Sequence, residues 1–422
     1  MPLPERFQFF VTGGSIESDR TDFWVYSIDQ RRIITVSVDE EREDFQEDEE
    51  KAMDAVRGHI DTLADDVTMI RIDLETGDLL SVSTDPVDDM TEWVYYPSPD
   101  LARRPDGLQT ILRSELRELD RFTPCVDLVS YQASEGVDAD EAQERKGVFK
   151  YYWNSGLIEK SWADLHFCMA LSHHPNIVPV DRLVLDEVAG NIVGYTTVYI
   201  PGGTLQDNVT RPFKLKWLRQ LTQVVDDLNL KYGVAHQDLV PRNLLIDEAS
   251  DNLMVFDFNW AAQIGNVRGS SENRDDVRAV AYTIYEIITR DLHYRDTTWE
   301  ELSLNTILDM DEWTPHPDVV LDHPVAEYRA VLNAWLKARE TGPRIAVYTD
   351  APEYIDWPEL EKLTVESDQG DGTTKQIRSW NTTLVRLARK EGRSIVKWQR
   401  PAANKLTGED HLLANGELVA KA

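Results

Sequence analysis

The alternation of apolar and polar positions divides the chain into strand-like and helix-like runs. Phe7 to Val11, Phe23 to Ile28 and Arg32 to Val38 read as strands, Glu47 to Ala64 as an acidic amphipathic helix, and Thr68 to Asp73 with Leu79 to Ser83 as a hairpin around Glu75-Thr76-Gly77-Asp78. These elements predict a small α+β unit. Pro97 to Gly107, rich in Pro and charge, reads as a linker. Thr110 to Phe122 has helical spacing, with Ile111, Leu112, Leu116 and Leu119 on one side. Strands then run from Cys125 to Tyr131 and from Lys146 to Trp153, and a helical run from Ser161 ends before His174-Pro175-Asn176-Ile177. Ile192 to Leu205 reads as a strand closing in a Gly-Gly turn, and Lys214 to Tyr232 as a long amphipathic helix. Further helices are expected at Ala330 to Arg339, Glu353 to Thr364 and Trp380 to Lys390, the last two separated by the flexible run Asp368 to Thr374.

The pattern is densest in information between Val234 and Ala261. A short apolar strand end leads into a polar loop carrying His236, Asp238, Arg242 and Asn243. An apolar strand (Leu244 to Ile246), an Asp/Ser/Asn turn and a second apolar strand (Leu253 to Phe256) follow, ending in Asp257. Moving a phosphoryl group needs carboxylate and amide oxygens to hold Mg²⁺ and a carboxylate to accept a hydroxyl proton. Asp238, Asn243 and Asp257 are groups of that kind on one hairpin.

Composition narrows the setting. At 422 residues the chain is long enough for two or three structural units. A formal net charge of −32 argues against nucleic acid or an anionic membrane as partner, through like-charge repulsion. The nine acids between Asp39 and Glu50 read as a solvated loop and helix start. Only Cys125 and Cys168 are present, nothing pairs them, and no 18-residue apolar run occurs, so a soluble protein of the cytosol or nucleus is expected.

His236-Gln237-Asp238-Leu239-Val240-Pro241-Arg242-Asn243 resembles the catalytic loop H-R-D-L-x-x-x-N of the protein-kinase-like superfamily, and Asp257-Phe258-Asn259 stands where D-F-G would. The resemblance implies Asp238 as catalytic base, Asn243 and Asp257 as Mg²⁺ ligands, and His236 as an organiser of the loop. Lys150, in Val148-Phe149-Lys150, matches the lysine that pairs the α- and β-phosphates of ATP. Asp164, seven residues before Leu171, stands where that lysine's acidic partner is found, with Glu159 as the alternative. The strand before Gly202-Gly203 matches the hinge between lobes: Thr197 guards the back pocket, Val198 to Ile200 offer backbone groups to adenine, and Leu245 joins the nucleotide-binding set. Asp276 matches the residue whose carboxylate caps the catalytic-loop backbone. His173 and His174 read as turn residues rather than metal ligands.

The departures from the family pattern are specific. Only Gly136 and Gly147 stand in place of a G-x-G-x-x-G loop. Eighteen residues separate Asp257 from Asp276, with no A-P-E, so most of the activation segment is missing. Gln237 replaces the Arg that meets a phosphorylated activation loop, and Val240 replaces the Lys used against the γ-phosphate; Leu239 to Asn243 resembles the loop of tyrosine kinases, so that Arg242 takes over part of that charge.

The expectation is a two-lobed α+β kinase-like fold: an α+β accessory unit over 1–118, a β-rich small lobe and hinge over 119–205, a helical large lobe over 206–345, and a helical C-terminal extension and tail over 346–422. The activity implied is transfer of the ATP γ-phosphoryl, with Mg²⁺, to a hydroxyl of a protein or small-molecule acceptor. Alternatives are a pseudokinase that senses nucleotide or scaffolds, and other ATP-dependent chemistry such as AMP transfer. The chain around these motifs also looks like fungal kinase-like proteins.

Overall fold

The computed structural model describes residues 8–40, 45–133, 143–153, 155–267, 269–271, 273–298, 300–360, 363–368, 374–379, 382–402, 405–407 and 410–420. Gly136, Trp380 and residues 369–373 lie outside them.

The N-terminal extension is a five-stranded sheet in spatial order β1 to β5: β1 (Phe9–Glu17), β2 (Arg20–Ser27), β3 (Arg32–Val38), β4 (Met69–Ile72) and β5 (Leu79–Ser83). The only parallel pair among these is β3 with β4, joined by the crossover helix α1 (Phe45–His59), as a parallel connection requires. Ala52, Ala55 and Val56 recur at helical spacing and are at most 4% exposed. They seal one face of the sheet against Phe23, Val25, Ile34 and Val36. The strands and helix read from the sequence here differ from the structure only at their ends.

After β6 (Glu92–Val94), the small lobe is a six-stranded sheet in the order β7-β11-β12-β10-β9-β8, built from β7 (Gln109–Leu112), β8 (Arg117–Thr123), β9 (Val126–Ala133), β10 (Gln143–Tyr151), β11 (Val180–Leu185) and β12 (Ile192–Val198), with α2 (Ile158–Leu171) against it. The helix expected over Thr110 to Phe122 is instead β7, one 3₁₀ turn and β8. Ile111 pairs with Val184 and Arg117 with Ser130, while Leu112 is 40% exposed. The sheet edge supplied backbone partners on both sides, and tertiary pairing overrode a short apolar spacing. The small-lobe sheet therefore begins before residue 119.

The large lobe carries α3 (Leu215–Asp226), which continues as a π-turn to Lys231, then β13 (Val234–Ala235), β14 (Leu244–Asp247), β15 (Asn252–Val255), β16 (Ala262–Gln263), α4 (Asp276–Thr289), α5 (Leu304–Leu308) and α6 (Val325–Thr341). Together these parts form a two-lobed kinase-like fold with an N-terminal α+β extension.

The C-terminal region is not the helical extension expected. It holds β17 (Leu363–Asp368), β18 (Thr374–Ser379), β19 (Thr382–Leu384), α7 (Val385–Lys390), β20 (Asp410–Leu412) and β21 (Leu418–Ala420), so that α7 is its one α-helix among the described residues. Residues 353–360 run extended across α2 and the large lobe. Their backbone is satisfied by outside partners: Glu353 N–H donates to Lys231 O (2.9 Å), Trp162 Nε1 to Pro358 O (2.7 Å) and Gln263 Nε2 to Ile355 O (2.9 Å). With Pro352 just before the run and Pro358 within it, a helix would forfeit bonds that these contacts provide. Further on, β19 pairs with β6, and Trp398 stacks on Tyr151 of the small lobe (5.0 Å between centroids).

Candidate functional site

Of the residues singled out in the sequence, Lys150, Asp164 and Asp257 meet one another, and Asp238, Arg242 and Asn243 form a second group on the adjoining loop. Lys150 projects from β10, and its Nζ lies 2.9 Å from Asp164 Oδ2 on α2 and 2.6 Å from Asp257 Oδ1 at the end of β15. Of the two candidate partners on the helix, Asp164 is the one in contact. Two hydroxyls hold the same oxygen: Tyr152 Oη and Tyr195 Oη donate to Oδ2 at 2.9 and 2.6 Å. Burial, with Asp164 beside them, pushes both phenols well above their ordinary pKa, so they stay donors. Burial alone would lower the Lys150 pKa, but Asp164 and Asp257 outweigh it and raise it well above its ordinary value, so the ammonium stays charged. Burial likewise opposes the Asp257 carboxylate, and Lys150 reverses the balance, leaving it below the usual carboxylate range.

The loop carrying His236 and Asp238 is fixed from beneath by Asp276, fully buried at the start of α4. Its Oδ2 accepts the His236 N–H (2.8 Å) and Asn229 Nδ2 (2.9 Å), and its Oδ1 accepts the Gln237 N–H (2.8 Å). Gln237 and Asp257 both sit in the left-handed region, at φ of 64° and 65°. Non-glycine residues keep that geometry only where their surroundings impose it, and it clusters at functional sites. The His236 ring packs on Phe258 (4.8 Å), which in turn faces Phe167 (6.4 Å).

On the loop's outer side, Asp238 accepts Arg242 Nη2 at 2.8 and 2.9 Å and Asn243 Nδ2 at 2.8 Å. Arg242 is thus engaged with Asp238. Asn243 Nδ2 also donates to Asp238 O (2.8 Å), which leaves its amide oxygen as the atom for a cation. Asn243 Oδ1 and the second oxygen of Asp257 fit Mg²⁺, which keeps water and substrate-phosphate ligands and takes one or two carboxylates. Among the described residues no cluster of three or more His, Cys, Asp or Glu could hold a metal.

At the end of β12, Thr197 pairs with Val148 and Val180, and Val198 spends its N–H on Pro179 O (3.1 Å), so the N–H expected for a base is engaged within the protein. Ile200, Val178 and Met254 form an apolar cluster onto which Leu245 and Phe256 pack.

Gln237 is the residue whose part sequence reasoning missed. Its Nε2 donates to Trp260 O (2.7 Å) and Gly269 O (2.8 Å), and its Oε1 accepts the Ser271 N–H (2.7 Å). A neutral amide therefore ties down the short segment after Asp257 without a phosphate. The signal was its place between His236 and Asp238, where only the loss of Arg was noted. Tyr195 was equally legible, two residues before Thr197 on the same strand face.

Fold and site together are those of a kinase-like protein, and comparison with known proteins agrees at that level. No family model matches the chain. A CBL-interacting protein kinase 15 of Oryza sativa subsp. japonica is 32% identical over 128 residues, 29% of this chain and 28% of the relative. A CBL-interacting serine/threonine-protein kinase 16 of Arabidopsis thaliana is 33% identical over 148 residues, 32% of this chain and 28% of the relative. The chain thus spans under a third of the length of these curated relatives. The similarity supports the protein-kinase-like superfamily, through plant proteins rather than fungal ones. No helix among the described residues is long and apolar enough to cross a membrane.

Proposed function

We propose that the chain is an ATP- and Mg²⁺-dependent phosphotransferase. The observation that carries the proposal is the Lys150 ammonium held between Asp164 and Asp257, with Asp238 and Asn243 on the adjoining loop. In this reading Lys150 takes the α- and β-phosphates and Asp164 positions it. Thr197, Val198, Ile200 and Leu245 surround the adenine. Asn243 and Asp257 hold Mg²⁺, which when bound supplies positive charge against the developing charge of the transferred phosphoryl. Asp238 accepts the proton of the acceptor hydroxyl, and Arg242, hydrogen-bonded to it, keeps its carboxylate oriented and lends charge toward the phosphates.

The acceptor is a hydroxyl of a protein or a small molecule. The relatives are named as protein kinases, which favours a protein. The short segment after Asp257, pinned by Gln237, offers little platform for a peptide and favours a small molecule. A nucleotide-sensing scaffold is the second reading, favoured by the lack of G-x-G-x-x-G spacing between β9 and β10. Product analysis of consumed ATP separates these: ADP for phosphotransfer, AMP with pyrophosphate for adenylyl transfer, and no consumption for a scaffold. Asp238→Asn abolishes ADP formation and spares nucleotide binding; retained turnover would remove Asp238 from the base role.

A further inference from the structure

The segment 353–360 ties the large lobe to α2, the helix that carries Asp164. Toward the large lobe, the Glu353 and Ile355 N–H groups donate to Lys231 O (2.9 Å) and Tyr232 O (3.2 Å). Toward α2, Trp162 Nε1 donates to Pro358 O (2.7 Å), and the Trp357 ring stands edge-on to Phe167 (4.8 Å between centroids, planes 73° apart). Trp162 and Phe167 are 5% and 0% exposed, so the segment covers apolar surface that burial stabilises.

The attachment lies on the side of α2 away from Lys150. At helical spacing Trp162 and His166 share one face, and Asp164 and Cys168 the opposite one. His166 accordingly meets the Trp162 and Trp357 rings (4.4 and 6.2 Å between centroids), whereas Asp164 and Cys168 meet Tyr195 Oη of β12 (2.6 and 3.5 Å). Packing from behind therefore sets how far Asp164 advances toward Lys150 Nζ, 2.9 Å from it. An aspartate reaches one methylene less far than a glutamate, so this pair depends closely on where the helix backbone sits. A displacement of about 1 Å is costly at such sites. Phe167 extends the contact to the second carboxylate, since its ring faces Phe258 (6.4 Å), the residue after Asp257.

We propose that Trp357 is a positioning residue: by packing on the outer face of α2, it and the segment that carries it hold Asp164 against Lys150 and keep the nucleotide site assembled. The last step rests on Lys150 taking the phosphates, as proposed above; the hold on the ion pair does not.

The test uses the full chain and reads the ion pair itself, as acetylation of Lys150 by limiting acetic anhydride, followed by mass spectrometry well below each variant's melting midpoint. Only the neutral amine reacts, so a lysine held charged by Asp164 is protected. Trp357→Ala should raise Lys150 acetylation by about threefold or more, with that of Lys214, paired with Asp251, unchanged. Trp357→Phe, which keeps a ring against Phe167, should restore the wild-type rate. In Asp164→Asn the pair is already lost, and Trp357→Ala should then add nothing, whereas a purely structural loosening would add to it. MgATP titration is the second readout: Trp357→Ala should raise the dissociation constant by about fivefold, again only while Asp164 is present. If Trp357→Ala does not fold, Trp162→Phe, which removes the N–H given to Pro358 O, carries the test with changes of about twofold. Unchanged Lys150 acetylation, or the same increase with and without Asp164, would overturn the proposal. Protection of Lys150 that depends on Trp357 in a protein that binds no MgATP would uphold the positioning and overturn the nucleotide reading instead.

Discussion

Lys150 Nζ lies 2.6 Å from Asp257 Oδ1, so a single ion pair joins the central strand of the small lobe to the base of the large one. Each partner sets the other's charge state, and that dependence can be tested by pH. Because Asp257 is depressed in the folded protein, its contribution to stability is present above the unfolded carboxylate value, about 3.9, and is lost as pH falls through its lower folded value. Lys150→Met removes the cause of the depression and leaves the buried Asp164 and the half-buried Asp257 carboxylates without their shared cation. Denaturant midpoints measured from neutral pH to pH 3 should show the variant less stable by about 3 kcal/mol at neutral pH. The gap should narrow toward pH 3, as Asp257 takes up a proton in the variant.

Gln237→Ala deletes three hydrogen bonds to the segment after Asp257, worth about 1 kcal/mol each. A loss of about 2–3 kcal/mol in stability is expected, with faster amide exchange at Ser271 and reduced turnover. ATP affinity should hold, since Gln237 touches neither Lys150 nor the hinge.

Tyr195→Phe removes a hydroxyl that donates to the buried Asp164 carboxylate, a bond of about 1.5–3 kcal/mol. Unfolding in denaturant should show that loss. The ATP dissociation constant should rise by about threefold or more, because Asp164 then holds Lys150 less firmly.

His166, on α2, is buried with Nδ1 against Trp162 O (2.7 Å), and burial lowers its pKa to about 4. A histidine kept neutral by folding contributes stability above its unfolded value, about 6.5, and loses it as pH falls toward the folded value. The fall between pH 6.5 and 4 amounts to about 3 kcal/mol. His166→Gln should flatten that part of the profile in pH-dependent melting.

The sequence was most legible where a side chain has a fixed chemical task. The spacing of Asp238, Asn243 and Asp257 on a hairpin located the loop, and β14 and β15 pair from Leu244 to Asp247 and from Asn252 to Val255. The N-terminal strands were readable because β2 and β3 carry sustained apolar runs beside a helix with one apolar face. Thr110 to Phe122 and Glu353 to Thr364 were misread for one reason: their conformation is set by partners far along the chain. Ile111 pairs with Val184, and the 353–360 run satisfies its backbone on Lys231, Tyr232, Trp162 and Gln263. Local apolar spacing carries no trace of such partners. The bridging role of Gln237 was hidden likewise, since its contacts at Trp260, Gly269 and Ser271 lie 23 to 34 residues away.

The central claim is a working Mg²⁺-nucleotide site built on Lys150, Asn243 and Asp257. Thermal melting of the wild type and Asp257→Ala, with ATP or ADP and with or without Mg²⁺, tests it most directly. The account predicts a rise in melting temperature on adding nucleotide that depends on Mg²⁺ and is lost in Asp257→Ala. No shift for the wild type at millimolar nucleotide, or an equal shift in both proteins, would contradict it.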